Sequence, residues 1–197
     1  MSTLLLNAQN ISWRISGRTL FSGIDFSVRT GEALELRGPN GSGKSTLLRL
    51  LAKFQQPHEG IVQLNTRRVG FLGHKSGLSG LLSVFENIKW YCTLAKVHYT
   101  DTELEDRLHL FELTHEKQTL VQELSTGQVR RCALLCLSLA QYNLWLLDEP
   151  TAALDSQGIS LTQSLIEQHR KNAGAVVMAT HSTDPIPEAT TVELNVT

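Results

Sequence analysis

Residues 38–45 form a glycine-rich segment, Gly-Pro-Asn-Gly-Ser-Gly-Lys-Ser, that fits the phosphate-loop pattern G-x-x-x-x-G-K-[ST]. It lies between a predicted strand and a predicted helix, so backbone N–H groups and the helix N-terminus can surround phosphate oxygens. Lys44 would reach the β and γ phosphates of a nucleotide, and Ser45 would ligate Mg²⁺. The residues predicted to hold the phosphates are Gly38, Pro39, Asn40, Gly41, Ser42, Gly43, Lys44, Ser45 and Thr46.

Two carboxylates end an apolar run at residues 144–150, Leu-Trp-Leu-Leu-Asp-Glu-Pro. A buried strand here would deliver Asp148 to the sheet edge where α/β proteins bind ligands, as an oxygen ligand for Mg²⁺. Glu149 could polarise a water molecule for attack on the γ-phosphate. By itself such a run is also typical of a strand end that meets solvent, so this prediction depends on the phosphate loop.

A second anion site is indicated at residues 124–128, Leu-Ser-Thr-Gly-Gln, which precede a predicted buried helix. Ser125 and the N–H of Gly127 would lie at the helix N-terminus. One nucleotide does not obviously need two such sites, and a long helical segment separates Ser125 from Lys44 in sequence. Some further arrangement must bring the two sites together.

The elements that position these residues follow an α/β pattern, because short apolar runs alternate with longer segments of helical periodicity. We expect a mainly parallel sheet core with antiparallel edge strands. The predicted buried strands are 33–36, 69–72, 144–147 and 175–179, and the predicted edge strands lie near 4–15, 24–28 and 191–195.

Helices replace strands between about residues 74 and 140, which predicts a helical lobe inserted in a single nucleotide-binding domain over 1–197. Three helices are expected. The first lies near 84–96, and the second begins at Thr100, because Thr100 and Glu103 have capping-box spacing. The third covers 127–140. The third helix is apolar around most of its circumference, so it should be mostly buried. Its main apolar stripe is Val129, Cys132, Ala133, Cys136, Leu137 and Ala140.

Composition excludes several classes of protein. With 18 Lys and Arg against 19 Asp and Glu, the net charge of −1 gives no electrostatic case for nucleic acid as the main partner. No apolar run approaches the roughly 18 residues of a membrane span, and residues 1–10 carry no secretion signal. The three cysteines, Cys92, Cys132 and Cys136, have no other metal-ligating residues near them at the spacing of a metal site. We expect them to be buried as small apolar residues rather than to act in redox chemistry.

Five motifs occur in the order and approximate spacing of the ATP-binding subunits of ABC transporters, and the resemblance covers nearly the whole chain. They are the phosphate loop, residues 124–128, residues 147–150, Ala153-Leu154-Asp155 and Thr180-His181-Ser182. The resemblance implies an ABC-type P-loop ATPase that uses ATP and Mg²⁺, with Lys44, Glu149 and His181 in catalytic roles.

In that family the segment that matches 124–128 is the signature motif, Leu-Ser-Gly-Gly-Gln, which closes over ATP held by the phosphate loop of a second copy. The resemblance therefore implies a homodimer in the ATP-bound state, with Ser125, Gly127 and Gln128 at the nucleotide of the other copy. It makes Asp155 a dimer contact and His181 the switch that pairs with Glu149 and senses the γ-phosphate.

Three positions need separate interpretation. Thr126 replaces a signature glycine, which would make the backbone less permissive and weaken closure. His74 replaces a family Gln that touches Mg²⁺ and relays to membrane subunits. Because Mg²⁺ prefers oxygen ligands to imidazole, we expect His74 to orient water or the coupling loop. The alternative is a solvated or capping histidine. Trp13 is the nearest candidate to stack on adenine, although Ile15 holds the expected position and a packed aromatic is the alternative.

Within the family, the chain looks like the ATP-binding subunits of the haem exporter of cytochrome c maturation. The similarity lies in residues 18–23, 38–52 and 81–91, in the short segment between Leu64 and Val69, and in Gly73-His74. It implies ATP hydrolysis by a peripheral subunit at the cytoplasmic face of the inner membrane, bound to integral membrane subunits. Hydrolysis would drive haem export or the release of a haem-loaded chaperone.

Three alternatives stay open at this point. The chain could instead serve an exporter for lipid, drug or peptide, or act as a soluble ABC-type clamp in translation or DNA repair. The aromatic residues Phe85, Trp90 and Tyr91 could form part of a groove for a membrane subunit, or they could be a core stripe.

Overall fold

The structure is a computed structural model that describes residues 2–181 and 185–194. Within these ranges the chain forms eight strands and five α-helices. In chain order they are β1 (Leu4–Ile15), β2 (Arg18–Arg29), β3 (Ala33–Arg37), α1 (Lys44–Leu51), β4 (Glu59–Leu64), β5 (Val69–Leu72), α2 (Val84–Ala95), α3 (Asp101–Leu110), α4 (Thr126–Leu139), β6 (Leu144–Asp148), α5 (Ser156–Lys171), β7 (Ala175–Ala179) and β8 (Thr190–Glu193); a 3₁₀ turn, Val121–Glu123, precedes α4.

The strands form two sheets. Five strands, in the order β5-β6-β7-β3-β8, pair in parallel throughout, and β2-β1-β4 form an antiparallel sheet. The predicted α/β class with a parallel core is therefore confirmed. The antiparallel strands form a sheet of their own. β8, which was predicted near 191–195 among antiparallel edge strands, is instead a parallel edge strand of the five-stranded sheet. Ser182, predicted in a motif, and Asn195, predicted in that edge strand, lie outside the described residues.

The parallel sheet is covered on both faces, so β7 is apolar at every position and β6 at every position before Asp148. On β6, Leu144 and Leu146 pack into a core with α1 and the antiparallel sheet. Trp145 and Leu147 point the other way, into a core formed with α2, α3, α4 and α5. All three cysteines are buried and free, as predicted.

Local capping fixes where the helices of the segment between β5 and β6 begin. Thr100 and Glu103 form the predicted capping box at α3, and Ser83 with Glu86 form another at α2. A third, described below, starts α4. Each box satisfies N–H groups that the first helical turn leaves without partners, so the helix start depends on residues three apart.

Two strands differ from the sequence-based expectation. β4 was not predicted, because of its residues only Val62 is buried, and β2 begins at Arg18 rather than near Ile24. Both depend on β1, which pairs with β4 on one side and with β2 on the other. Among the described helices, none combines the length and the apolar composition needed to cross a bilayer.

Candidate functional site

The phosphate loop joins β3 to α1 in a backbone conformation that depends on glycine. Gly38, Gly41 and Gly43 have φ of 141°, 82° and 101°, values that side chains with a Cβ rarely adopt. A Cβ at Gly38 would lie 2.3 Å from the Leu194 carbonyl oxygen, so that position is closed by backbone from β8's end. Gly43 is the N-cap of α1, and the helix N-terminus therefore opens directly onto the loop.

Lys44 lies inside this loop. Its Nζ donates to the carbonyl oxygens of Gly38, at 2.7 Å, and Pro39, at 3.1 Å. Burial lowers the pKa of Lys44, and the nearby negative charges of Glu149 and Asp148 oppose that shift. The loop thus holds a positive charge where phosphate oxygens of a nucleotide would lie.

Ser42 provides a direct test of whether phosphate fits the loop. Its side chain is fully buried, and among the described residues its Oγ has no hydrogen-bond partner. A buried hydroxyl without a partner costs roughly 1–3 kcal/mol, and a phosphate oxygen in the loop would supply the missing partner. The loop therefore fits a bound phosphate group.

Ser45 and Asp148 meet although they are far apart in sequence. The Ser45 hydroxyl donates to Oδ1 of Asp148 at 3.1 Å, because α1 starts beside the carboxyl end of β6. A hydroxyl and a carboxylate oxygen are the hard donors that Mg²⁺ prefers, so this pair fits that ion.

Glu149 follows the last residue of β6 and has a left-handed backbone conformation, with φ of 48°. Its N–H donates to the carbonyl of Ala179 at 2.9 Å, which ties it to the end of the neighbouring strand β7. Nε2 of His181, two residues beyond β7, lies 3.2 Å from Oε1 of Glu149, and both side chains are about 40% exposed, at 41% and 40%. The predicted pair of Glu149 and His181 is thus formed, with access to solvent.

The signature segment starts α4 with a capping box. The Ser125 hydroxyl accepts from the N–H of Gln128, and the Gln128 side chain accepts from the N–H of Ser125. Gln128 also donates to Glu116. No hydrogen bond or ion pair of the described residues joins 124–128 to the phosphate loop.

Asp155 belongs to the turn that packs against the signature segment, since a Cβ at Gly127 would lie 2.8 Å from the Ala153 carbonyl. Asp155 is the N-cap of α5 and accepts from the N–H of Gly158. Its two carboxylate oxygens also accept from Nη2 of Arg131, at 2.7 and 2.9 Å. Its side chain is 64% exposed, which leaves surface for another contact.

The two remaining predicted residues lie apart from these contacts. His74 is exposed in the loop that follows β5. Trp13 is half-buried on β1, with its ring centroid 4.3 Å from that of His58, and its buried Nε1 has no partner in the described part of the chain. Ile15, at the position expected for the adenine-stacking residue, is 51% exposed. Trp13 already packs in the antiparallel sheet, so its predicted contact with adenine remains a prediction.

Sequence reasoning missed two arginines on α4. Arg130 and Arg131 are both buried, although consecutive arginines on a helix normally indicate a solvated face. Arg131 binds Asp155 and also pairs with Glu112, while Arg130 donates to the carbonyl of Gly73. Their position two and three residues after the signature segment was the signal available in the sequence.

The chain resembles proteins of known kind over most of its length. The family model described as ABC transporter matches residues 21–152. A cytochrome c biogenesis ATP-binding export protein CcmA from Idiomarina loihiensis is 39% identical over 189 residues, which cover 90% of this chain and 85% of that protein. The protein of the same name from Pseudomonas savastanoi pv. phaseolicola is 40% identical over 190 residues, covering 90% and 88%.

Solved structures agree on the fold. An ATP-binding subunit of an ABC transporter superposes with a TM-score of 0.85 at 21% identity, covering 98% of this chain and 88% of that one. The ATP-binding cassette MJ0796, solved as a dimer bound to ADP and Pi, superposes with a TM-score of 0.82 at 21% identity, covering 98% and 96%. At this identity, the likeness establishes the architecture.

Proposed function

The chain belongs to the ABC transporter family, and we propose that it is the ATP-hydrolysing subunit of a transporter complex for cytochrome c biogenesis. Hydrolysis would drive haem export or the release of a haem-loaded chaperone. The relatives that carry the cytochrome c biogenesis name align with 90% of this chain, and the family model matches residues 21–152, which include the phosphate loop, the signature segment and the carboxylates after β6.

ATP binding would use the buried groups of the phosphate loop. Loop N–H groups and Lys44 would contact the β and γ phosphates, and Ser42 would gain the partner that its hydroxyl lacks. Ser45 and Asp148 would hold Mg²⁺, which would neutralise charge on the phosphates. Trp13 is retained as the candidate to stack on adenine.

Hydrolysis would depend on the pair of Glu149 and His181. Glu149 lies next to Asp148 and is exposed enough to accept a proton from an attacking water molecule. His181 would keep that carboxylate oriented and contact the γ-phosphate. The observation that carries this assignment is the 3.2 Å contact between Nε2 of His181 and Oε1 of Glu149, beside the bond from Ser45 to Asp148.

A second copy of the chain would complete the site. Ser125, Gly127 and Gln128 lie at the start of α4, and no hydrogen bond of the described residues joins them to the phosphate loop, so we propose that they contact ATP held by the other copy. Asp155 would add a dimer contact. Closure would follow ATP binding, because the second copy contacts the γ-phosphate only in the closed state.

The complex would include integral membrane subunits, and this chain would lie at the cytoplasmic face of the inner membrane through contact with them. Exposed apolar side chains on and before α2 support such a contact, since Leu81, Trp90 and Leu94 are 77%, 56% and 62% exposed. His74, in the loop between β5 and α2, would relay between the nucleotide and those subunits.

The test is the covalent haem of c-type cytochromes, measured on haem-stained gels of cells whose copy of the gene carries Lys44→Ala or Glu149→Gln. We expect loss of all c-type cytochromes while other haem proteins stay intact. Arg67→Ala, an exposed position outside the site, is the matched control. Normal cytochromes in both site variants would contradict the maturation role and direct attention to another exported substrate.

A further inference from the structure

Arg130 lies on α4, two residues after the signature segment, and its side chain is only 7% exposed. Its Nη1 donates to the carbonyl oxygen of Gly73 at 3.0 Å. Gly73 follows β5 and precedes His74. The guanidinium thus connects the start of α4 with the loop that carries His74.

The charge of Arg130 is buried without a close ion pair. Of the described carboxylates, none lies within 4.0 Å of its guanidinium, in contrast to Arg131, which pairs with two. Burial lowers the pKa of Arg130, and the negative charges of Asp148 and Glu149 oppose that shift, so the guanidinium lies within electrostatic reach of both. Burying a charge with one described hydrogen bond costs stability, which argues against a role in folding alone.

The sheet explains why these groups converge. β5 and β6 are parallel neighbours, and Leu72 pairs with Leu147. Gly73 therefore leaves the sheet at the same edge as Asp148 and Glu149, and α4 packs against β5. Arg130 lies where the signature helix, the loop after β5 and the two carboxylates meet.

We propose that Arg130 is a positioning residue for ATP hydrolysis: by binding the Gly73 carbonyl it fixes the loop that carries His74 to the signature helix, beside Asp148 and Glu149. The inference rests on the proposed ATPase function. It predicts that Arg130 affects turnover and not the affinity for nucleotide, because the phosphate loop lies on other elements.

Arg130→Met tests the proposal, with Arg130→Lys as the conservative variant and Arg67→Met as the exposed control. The full-length proteins are compared in ATP turnover, ATP affinity, thermal unfolding and hydrogen exchange of the amides of 73–76. For Arg130→Met we expect kcat to fall about tenfold to a hundredfold, because a small displacement of the reacting groups slows the chemical step by about that factor. KM should stay within about twofold of the wild-type value. Its Tm should be unchanged or higher, because a buried charge is removed. The amides of 73–76 should exchange faster.

Arg130→Lys retains the charge and a donor for Gly73, so it should recover most of the lost kcat and the slow exchange. A parallel fall of Tm and rise of KM in Arg130→Met would overturn the proposal in favour of a purely structural role. Unchanged turnover beside an active wild type would overturn it as well. A wild-type chain that neither binds nor hydrolyses ATP would instead contradict the proposed function, and the exchange of 73–76 would still decide whether Arg130 holds the loop.

Discussion

Thr126 replaces a glycine of the family's signature motif, and the structure shows how the chain accommodates it. Thr126 is the first residue of α4 and is absent from the residues with positive φ, so its backbone is one that any residue adopts. Its side chain is exposed. The single chain therefore accommodates threonine here without backbone strain, and weaker closure over a second copy's nucleotide stays a prediction.

Ser42 offers a prediction in which stability and binding change in opposite directions. Ser42→Ala removes a buried hydroxyl without a partner, so the nucleotide-free chain should gain about 1 kcal/mol. ATP should then raise the Tm by less than in wild type, because the loop loses a donor to phosphate. Thermal unfolding with and without ATP measures both effects.

Ser45→Ala is the matched control, since its hydroxyl already has a partner in Asp148. It should lower the stability of the nucleotide-free chain. A loss of stability in Ser42→Ala, or an undiminished effect of ATP on its Tm, would contradict the assignment of Ser42 to phosphate.

At the scale of elements, Asp155 links two helices: it caps α5 and binds Arg131 of α4. Asp155→Asn can keep the cap but loses the charge, whereas Asp155→Ala loses both. We expect the Tm to fall in that order, measured on the nucleotide-free chain so that dimer contacts play no part. Asp106→Ala, exposed on α3, should leave the Tm unchanged.

The effect of Asp155 should depend on pH in a defined direction. The N–H of Gly158 and then Arg131 hold the pKa of the Asp155 carboxyl below its usual 3.8. A lowered carboxyl pKa gives stability that is present above pH 3.8 and is lost as pH falls through the folded-state value. A difference in Tm between wild type and Asp155→Ala that stays constant from pH 6 down to pH 2 would refute this role.

His169 joins α5 to the parallel sheet and should make this packing sensitive to acid. Its ring stacks on Trp145, with centroids 3.9 Å apart, and Nε2 donates to the Ala175 carbonyl at 3.3 Å. Burial lowers the pKa of His169 from 6.5 to about 4. Between these values the unfolded chain binds a proton that the folded chain does not, so stability falls as pH falls, by at most about 1.4 kcal/mol per pH unit.

Urea unfolding at pH 7, 6 and 5 measures this dependence, with His169→Phe as the comparison because it keeps an aromatic ring on Trp145 and does not titrate. The variant should have a shallower decline in stability over this range. Equal declines in the two proteins would show that His169 does not carry the effect.

At the scale of the whole molecule, the proposed site includes a second copy of the chain, and Glu149→Gln should trap the ATP-bound dimer. This variant can bind ATP but lacks the proposed base, so hydrolysis should fall about a hundredfold or more. ATP-bound dimer should accumulate in sedimentation experiments, while the nucleotide-free protein stays monomeric. A variant that remains monomeric with ATP and turns over at the wild-type rate would eliminate this mechanism.

Ser125→Asp, added to Glu149→Gln, separates dimer closure from folding. Aspartate retains the N-cap of α4, so the Tm should change little. Its negative charge would face phosphate of the other copy, so the ATP-dependent dimer should disappear. Dimer formation that is indifferent to this change would place the second anion site outside the interface.

The sequence by itself determined the features that arise from neighbours along the chain. The phosphate loop, the carboxylates at the end of β6 and the start of α3 at Thr100 each depend on residues within a few positions of one another. The buried strands β6 and β7 were predictable for a similar reason, because a strand covered on both faces has a nearly continuous run of apolar side chains.

Only the tertiary structure decided which distant groups meet. β4 forms because it pairs with β1. Its side chains are mostly exposed, so its sequence lacks the apolar pattern that would predict a strand. Trp13 packs on His58. Arg130 and Arg131 are adjacent on α4, but Arg130 binds the carbonyl of Gly73 and Arg131 binds Asp155. These contacts depend on strand register and helix packing between segments far apart in the chain, which residue type and local periodicity do not encode.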